Sequence, residues 1–521
     1  MNPTDLPPIV IAGGGTAGWM AAAALGRFAG RKTILVESEE IGTVGVGEAT
    51  IPQIRLFNAA LGLDEAEFLR ETRGTFKLAI EFVGWAGEKP DPQAGARAGY
   101  LHAFGNVGQG AGLLPFQHYW LRARQAGKAG PLGDYALNDV AARAGRMQMW
   151  PAQPGQPAPD MPWAYHFDAG LYAAYLRRYA EAHGVERIEG RIGRVERRGE
   201  DGDIAALVLA DGRRIEGGFF LDCTGFRSLL LGDALGVGFE DWSHWLPCNR
   251  AVAVPCEAKG DFTPYTSARA RKAGWQWRIP LQHRIGNGHV FCADFMSEDE
   301  ATAVLLANLD GEPTADPRIL KFTTGMRARQ WSHNCLALGL AGGFMEPLES
   351  TSIHLVQASI ARLLQMMPGA RIAPAMREEF NRQAAFEWTR IRDFLILHYW
   401  ANGRGGDAGA EPFWDRCRSM AVPDTLRGRV EAFRATGFLH REHEELFTEA
   451  GWLQVLIGQG VLPSGYNPIA DAMPEADLVS MLDGMAQTHR RLAGAMPDHA
   501  QFLRAYIDPA RAASASQRIS A

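Results

Sequence analysis

Short apolar runs broken by glycine open the chain. Pro8-Ile9-Val10-Ile11-Ala12 meets Gly13-Gly14-Gly15-Thr16-Ala17-Gly18; the helix-forming stretch Trp19-Met20-Ala21-Ala22-Ala23-Ala24-Leu25 follows, then Thr33-Ile34-Leu35-Val36-Glu37. Short, continuously apolar runs bounded by turn signals predict strands buried on both faces, here with a helix between them. Strand, glycine turn, helix and strand in that order make the first βαβ unit of a dinucleotide-binding domain. Residues 87 to 160 are rich in Gly, Pro and Ala and predict loops with short helices. Asp168 to His183 predicts a helix, and Arg191–Arg198, Ile204–Leu209 and Arg213–Phe220 predict strands with a turn at Asp211-Gly212. Residues 245 to 295 alternate apolar and polar positions, which predicts a further sheet carrying substrate or covering the cofactor. From Thr351 the pattern is mainly helical to about Asp508, and the Ala/Ser-rich stretch after Pro509 predicts a disordered tail.

The glycine spacing has a physical meaning. In Gly13-x-Gly15-x-x-Gly18, the first glycine permits the tight turn and the second lets backbone approach a diphosphate. The third lets helix and strand pack closely. Thr16 and Ala17, inside the glycine turn, are counted with the cofactor-binding residues. Glu37 ends the next strand, where an acid accepts hydrogen bonds from ribose hydroxyls. This fingerprint alone does not separate NAD from FAD. Two later segments favour FAD: Leu221-Asp222-Cys223-Thr224-Gly225, which ends an apolar strand, and Leu336-Ala337-Leu338-Gly339-Leu340-Ala341-Gly342-Gly343, a strand followed by small residues. A nucleotide domain assembled from distant pieces fits a flavoprotein oxygenase better than a simple NAD dehydrogenase.

Composition narrows the setting. A net charge of −6 over 521 residues, with no basic cluster, excludes nucleic acid and a polybasic membrane patch as expected partners. The six cysteines are scattered, without metal or disulfide spacing, and are expected to be reduced thiols in a cytoplasmic protein. The first strand begins within eight residues of Met1, which leaves no room for a signal peptide, and no run approaches the length of a membrane span. A homodimer is left open.

Four segments then resemble one family, the flavin-dependent tryptophan halogenases and their indole-halogenating relatives. Gly13 to Trp19 reads GGGTAGW, and Gly45-Val46-Gly47-Glu48-Ala49-Thr50-Ile51-Pro52 looks like the family's flavin-covering loop. Trp275-Gln276-Trp277-Arg278-Ile279-Pro280 matches the WxWxIP signature that sets these halogenases apart from monooxygenases. Phe344-Met345-Glu346-Pro347-Leu348-Glu349-Ser350-Thr351 matches their active-site segment. Arg392-Asp393-Phe394, Leu397-His398-Tyr399 and Pro412-Phe413-Trp414 repeat their helical-domain pattern.

The resemblance implies a chemistry: reduced FAD from a separate flavin reductase, dioxygen and a halide, bromide or chloride, give hypohalous acid that halogenates an electron-rich aromatic, indole-type substrate. It assigns Lys77, in Gly74-Thr75-Phe76-Lys77, to handing over that oxidant, by hydrogen bonding to it or as a haloamine. Glu349 matches the catalytic glutamate that stabilises positive charge in the attacked ring, and Glu346, three residues earlier, competes for the role. Main-chain amides of Thr351 and Ser352 match a halide site. The family has Gly after that threonine, so Ser352 is a departure that bears on chloride affinity. Gly47, Glu48 and Ala49 belong to the flavin-covering loop; Leu340 and Ile353 are expected to touch flavin, and Val195 to pack on adenine. His102 and Phe104 match residues that sandwich the indole, with Ser350 beside them.

Two rivals stand beside this reading: an FAD-dependent aromatic monooxygenase, against which WxWxIP argues, and a non-catalytic flavin-binding protein, against which Lys77 and Glu349 argue. His440-Arg441-Glu442-His443-Glu444-Glu445 has two histidines three apart, but such a charged run more often forms a solvated helix face, so no metal is expected. The expected fold is α/β. Residues 1–350 form a discontinuous GxGxxG FAD-binding domain with inserted β-sheet segments on the substrate side. Residues 351–508 form a mainly helical substrate-closing region, and 509–521 the tail.

Overall fold

The computed structural model describes residues 6–40, 47–86, 99–150, 158–259, 262–404, 411–442 and 444–508. Gly45, Val46, His443 and the 509–521 tail, all singled out above, lie outside them. The chain divides into two compact units: Met1–Gly74 with Phe167–Asn249 and Lys321–Thr389, and Thr75–His166 with Arg250–Leu320 and Arg390–Ala521.

The first unit is built on a six-stranded sheet in the order Trp331–Ser332, Cys335–Ala337, Phe219–Asp222, Ile9–Ala12, Thr33–Glu37, Glu186–Glu189. We call Ile9–Ala12 β1, the helix Thr16–Phe28 α1 and Thr33–Glu37 β2. All four residues of β1 are buried, and it pairs in parallel with Phe219–Asp222 on one side and β2 on the other. Burial of each Ile or Val here contributes roughly 1.5–3 kcal/mol, enough to hold so short a strand. Ala12, Asp222 and Ala337 are level in register, so three chain turns leave the sheet at one carboxyl edge. In open α/β sheets that edge is where ligands bind.

The stretch expected as one strand over Arg213–Phe220 is two. Arg214–Glu216 closes a three-stranded antiparallel sheet with Ile192–Arg197 and Ile204–Leu209, whereas Phe219–Asp222 enters the parallel sheet. Gly217 and Gly218 make the switch. A Cβ on Gly217 would lie 2.7 Å from Val10 Cγ2, and one on Gly218 2.8 Å from an Arg31 guanidinium nitrogen. The helix expected from Asp168 forms as Ala169–Ala182, with the Asp168 side chain capping it by accepting from Gly170 and Leu171 N–H.

In the second unit, six consecutive strands of one sheet run in the order Arg250–Cys256, Ile285–Phe291, Gly274–Pro280, Tyr265–Arg271, Ala79–Val83, Gly99–Ala103. The last of these lies in the stretch read as loops and short helices; its pairing with Ala79–Val83 overrides a weak local signal. Trp275, Trp277 and Ile279 of WxWxIP share one buried strand face. Trp277 stands opposite Gly288, where an added Cβ would lie 2.0 Å from its indole, so the tryptophan needs a glycine across the ladder. The helical-domain motif supplies core: Tyr399 stacks on Trp414, which meets Trp85 edge-on.

Three imidazoles in this unit are buried and neutral. Burial pushes His289 and His499 down to about 4 and His166 well below its ordinary value. For His499 the hydrogen bonds agree: Nε2 accepts from Phe76 N–H at 3.2 Å, and Nδ1–H donates to the Phe262 carbonyl. As pH falls below 6.5, the unfolded chain gains these protons before the folded one does. Their stabilisation is therefore complete above 6.5 and lost toward 4, at roughly 3 kcal/mol for a histidine held at about 4. Glu48, which burial pushes up to about 7, works oppositely, its contribution lost as pH rises from 4.5 to 7. Burial also pushes His118 and His489 down, so the histidines outweigh Glu48: urea unfolding at pH 7.5 should show a higher midpoint than at pH 5, and a flat or inverted profile contradicts the neutral histidines.

Candidate functional site

In the first unit, the glycines of the turn after β1 stand in two kinds of surroundings. Gly13 has a left-handed φ of +108°, and a Cβ there would lie 2.3 Å from the Cys223 carbonyl oxygen. A Cβ on Gly18 would lie 1.9 Å from the Gly13 carbonyl oxygen, so helix and turn are in direct contact. Gly15 differs: among the described residues, and apart from its chain neighbours and its own helix backbone, no atom lies within 4 Å of where its Cβ would be. It caps α1 with no side-chain hydrogen bond to the first turn, and no acid lies in that turn. Open space before a helix N-terminus that has no side-chain cap fits a diphosphate, and the residues present fit a dinucleotide such as FAD.

Gly15→Ala is therefore expected to move Tm by no more than about 2–4 °C while weakening FAD binding at least about tenfold, or ~1.4 kcal/mol. Gly18→Ala, which collides with backbone, should lower Tm sharply. Fluorescence titration and thermal melts check both; unchanged affinity in Gly15→Ala counts against the cradle.

Glu37 turns back over this cradle. A Cβ on Gly14 would lie 1.5 Å from its Oε2, while its Oε1 accepts from Arg187 Nε at 2.6 Å. Sequence reasoning did not find Arg187, which orients the acid expected to meet ribose. The Gly339–Ala341 turn carrying half-buried Leu340 lies against α1: a Cβ on Gly339 would lie 2.9 Å from Ala17 Cβ and 3.6 Å from Val356. Thr16 Oγ1 donates to the Ala169 carbonyl at 3.5 Å. Gly47, Glu48 and Ala49 form a short strand. Val195 faces Leu207 across its hairpin and packs, half-buried, on the apolar core of the unit.

The active-site segment lies in the same unit. Glu346 and Glu349 are both buried, at 1% exposure. Pro347–Glu349 makes one 3₁₀ turn, Ser350 takes a left-handed φ of +59°, and a helix runs from Ser352 to Gln365. A non-glycine residue held left-handed is strained, and such strain gathers at functional sites. Here it turns the chain so that Thr351 caps the helix and Ser352 begins it, again with no acid in the first turn and no side-chain cap. Ile353, on that first turn, is buried.

In the second unit, Lys77 is fully buried, at 0% exposure, and its Nζ lies over the Phe104 ring at 5.4 Å from the centroid. An aromatic face attracts a cation placed over it. His102, 7% exposed, packs against Phe394 at 5.5 Å and Phe447 at 6.0 Å; those two rings stack at 3.8 Å, and Trp452 meets Phe394 edge-on. Phe447 and Trp452 gave no sequence signal beyond being apolar.

The charged run around residue 440 is not a solvated helix face. Among its described residues it is irregular, and Glu445 is 2% exposed. Arg429 Nη2 donates to both Glu445 oxygens, at 2.8 and 3.0 Å, while lying 4.4 Å over the Trp452 ring, and Arg390 is 3.2 Å from Glu445. The partners lie on distant segments, which local charge patterning cannot reveal. Arg404 donates to Glu411, and Tyr466 to Asp471.

A discontinuous sheet with a glycine cradle at the carboxyl edge of its parallel strands defines a nucleotide-cofactor-binding α/β protein. The chain belongs to the tryptophan halogenase family, whose model matches residues 8–475. A flavin-dependent halogenase from Xanthomonas campestris superposes with a TM-score of 0.90 at 50% identity, over 96% of this chain and 98% of that one. BrvH, a flavin-dependent halogenase from Brevundimonas sp. BAL3, gives 0.89 at 44%, over 96% and 99%. The tryptophan 6-halogenase ThaL of Streptomyces albogriseolus is 34% identical over 90% of this chain and 92% of its own length. The protein is thus a flavin-dependent halogenase, an oxidoreductase, as WxWxIP implied. Enzymes of this kind generally need a separate flavin reductase and act on small aromatic compounds. All six cysteines are free thiols, and among the described residues no helix is long and apolar enough to cross a membrane.

Proposed function

We propose that the chain takes reduced FAD from a separate reductase, with dioxygen and bromide or chloride, and halogenates a neutral indole-type ring. When bound, the reduced flavin supplies the electrons with which dioxygen oxidises halide to hypohalous acid. The residues around Gly15 would hold its diphosphate, Glu37 a ribose, and the Gly339–Ala341 turn with Ile353 its ring side; Thr351 and Ser352 amides would hold the halide. Lys77 keeps hypohalous acid from escaping by hydrogen bonding to it and polarising it toward the ring. Glu349 stabilises the positive charge that builds on the arene and takes the leaving proton. The observation that carries the reading is the fully buried Lys77 with its ammonium over Phe104.

The indole preference rests on charge. A free amino acid brings an ammonium and a carboxylate, and leaving them unpaired costs several kcal/mol. Around Trp452 the cations Arg390 and Arg429 are already engaged by Glu442 and Glu445. The His102, Phe394 and Phe447 rings offer stacking without a charge requirement. Indole should therefore give a higher kcat/KM than L-tryptophan when both are measured side by side. A clear preference for tryptophan would mean that a zwitterion site exists and overturn this part of the reading.

A further inference from the structure

The strand Thr75–Lys77 carries a hydrogen-bonded chain that none of the roles above uses. Thr75 Oγ1 lies 2.8 Å from the Pro280 carbonyl oxygen and 2.9 Å from His166 Nδ1, and His166 Nε2 lies 3.0 Å from Thr266 Oγ1. The proton directions follow from chemistry. A carbonyl can only accept, and a hydroxyl has one proton, so Thr75 donates to Pro280 and accepts from His166 Nδ1–H. Nε2 of the neutral ring then accepts from Thr266. Thr75 and His166 are fully buried and Thr266 is 5% exposed, so each group depends on its protein partner.

This chain lies on the lysine's side of the strand. In the antiparallel pair Thr75 stands opposite His166 and Lys77 opposite Ala164. Residues two apart and residues directly opposite share a face. The methyl of Ala164 leaves room for the lysine stem. On the other face Phe76 is held among Tyr165, His499, Phe502 and Tyr506. Pro280 is the last residue of WxWxIP, so the chain ties the end of that signature strand to the strand of the lysine.

We propose that Thr75 and His166 are positioning residues for Lys77: the run Pro280–Thr75–His166–Thr266 fixes the ammonium where it intercepts hypohalous acid, and so couples halide oxidation to ring halogenation. This rests on the reading of Lys77 given above. Errors of about 1 Å in such placement cost up to about 10²-fold in rate, and here the lost oxidant would escape into solution.

The test supplies full-length protein with reduced FAD, bromide, dioxygen and indole. It measures brominated indole per flavin oxidised, together with hypobromite escaping to a 1,3-diketone scavenger. Thr75→Val should lower coupling by roughly tenfold or more, with escape rising to match, while Thr75→Ser, which keeps the hydroxyl, restores it. Thr266→Val removes the last donor without touching the lysine strand and should shift coupling in the same direction. It serves as the second arm if Thr75→Val does not fold. Wild-type coupling in folded Thr75→Val or Thr266→Val overturns the proposal, as does equal loss in Thr75→Ser. Lys77→Ala is run in parallel: wild-type coupling there would instead overturn the lysine's own role.

Discussion

Lys77→Ala is expected to lower halogenated product by roughly 10³-fold or more while oxidation of supplied reduced FAD continues at the wild-type rate. The two activities separate because the lysine acts after flavin chemistry, on the oxidant rather than on the cofactor. Lys77 is fully enclosed, with its Nζ over the Phe104 ring. Truncating so large a buried side chain leaves a cavity, so a thermal melt run beside the wild type separates loss of the lysine's chemistry from loss of fold. Stopped-flow absorbance of flavin and mass spectrometry of product give the two rates. Product at near wild-type rate would remove Lys77 from the chemistry.

Glu349→Gln is expected to cost roughly 10²–10³ in turnover, the size seen when one electrostatic stabiliser is removed from a preorganised site. The substitution keeps shape and removes charge, which is what a developing arenium ion would feel. Glu346→Gln is the internal control. Both acids are buried, but only Glu349 directly precedes left-handed Ser350 and the helix entrance formed by Thr351 and Ser352. Glu346→Gln should retain near wild-type turnover. An unaffected Glu349→Gln with a crippled Glu346→Gln would exchange the two roles.

What could be read in the sequence was local and steric. The turn Gly13–Gly18 needs glycine at Gly13 and Gly18 because backbone crowds them, and leaves open space at Gly15, as the spacing implied. The strands ending at Asp222 and Ala337 were legible as apolar runs before small residues; the first pairs with β1 and the second pairs with the first, in the same sheet. Glu349 to Ser352 are contiguous, so one motif delivers the whole segment. What escaped was long-range. Thr75 meets His166 through strand pairing, and His166 meets Thr266 on a strand of another sheet; nothing near Thr75 in the sequence announces either. Glu445 looked solvated because Arg429 and Arg390 stand on other segments. The break at Gly217-Gly218 was missed because both halves have strand-like composition, and only their different sheets separate them. Gly99–Ala103 was masked by its Gly- and Ala-rich surroundings, where sheet pairing rather than propensity decides.

The central claim is that halide, not oxygen, ends on the substrate ring. It is tested most directly by giving the purified protein reduced FAD from an added reductase, dioxygen and indole, with chloride, bromide or neither. The products are then read by mass spectrometry. A product whose isotope pattern follows the halide supplied, and that is absent without halide, is the predicted result. An oxygenated product formed equally well without halide would contradict it and return the protein to the monooxygenases.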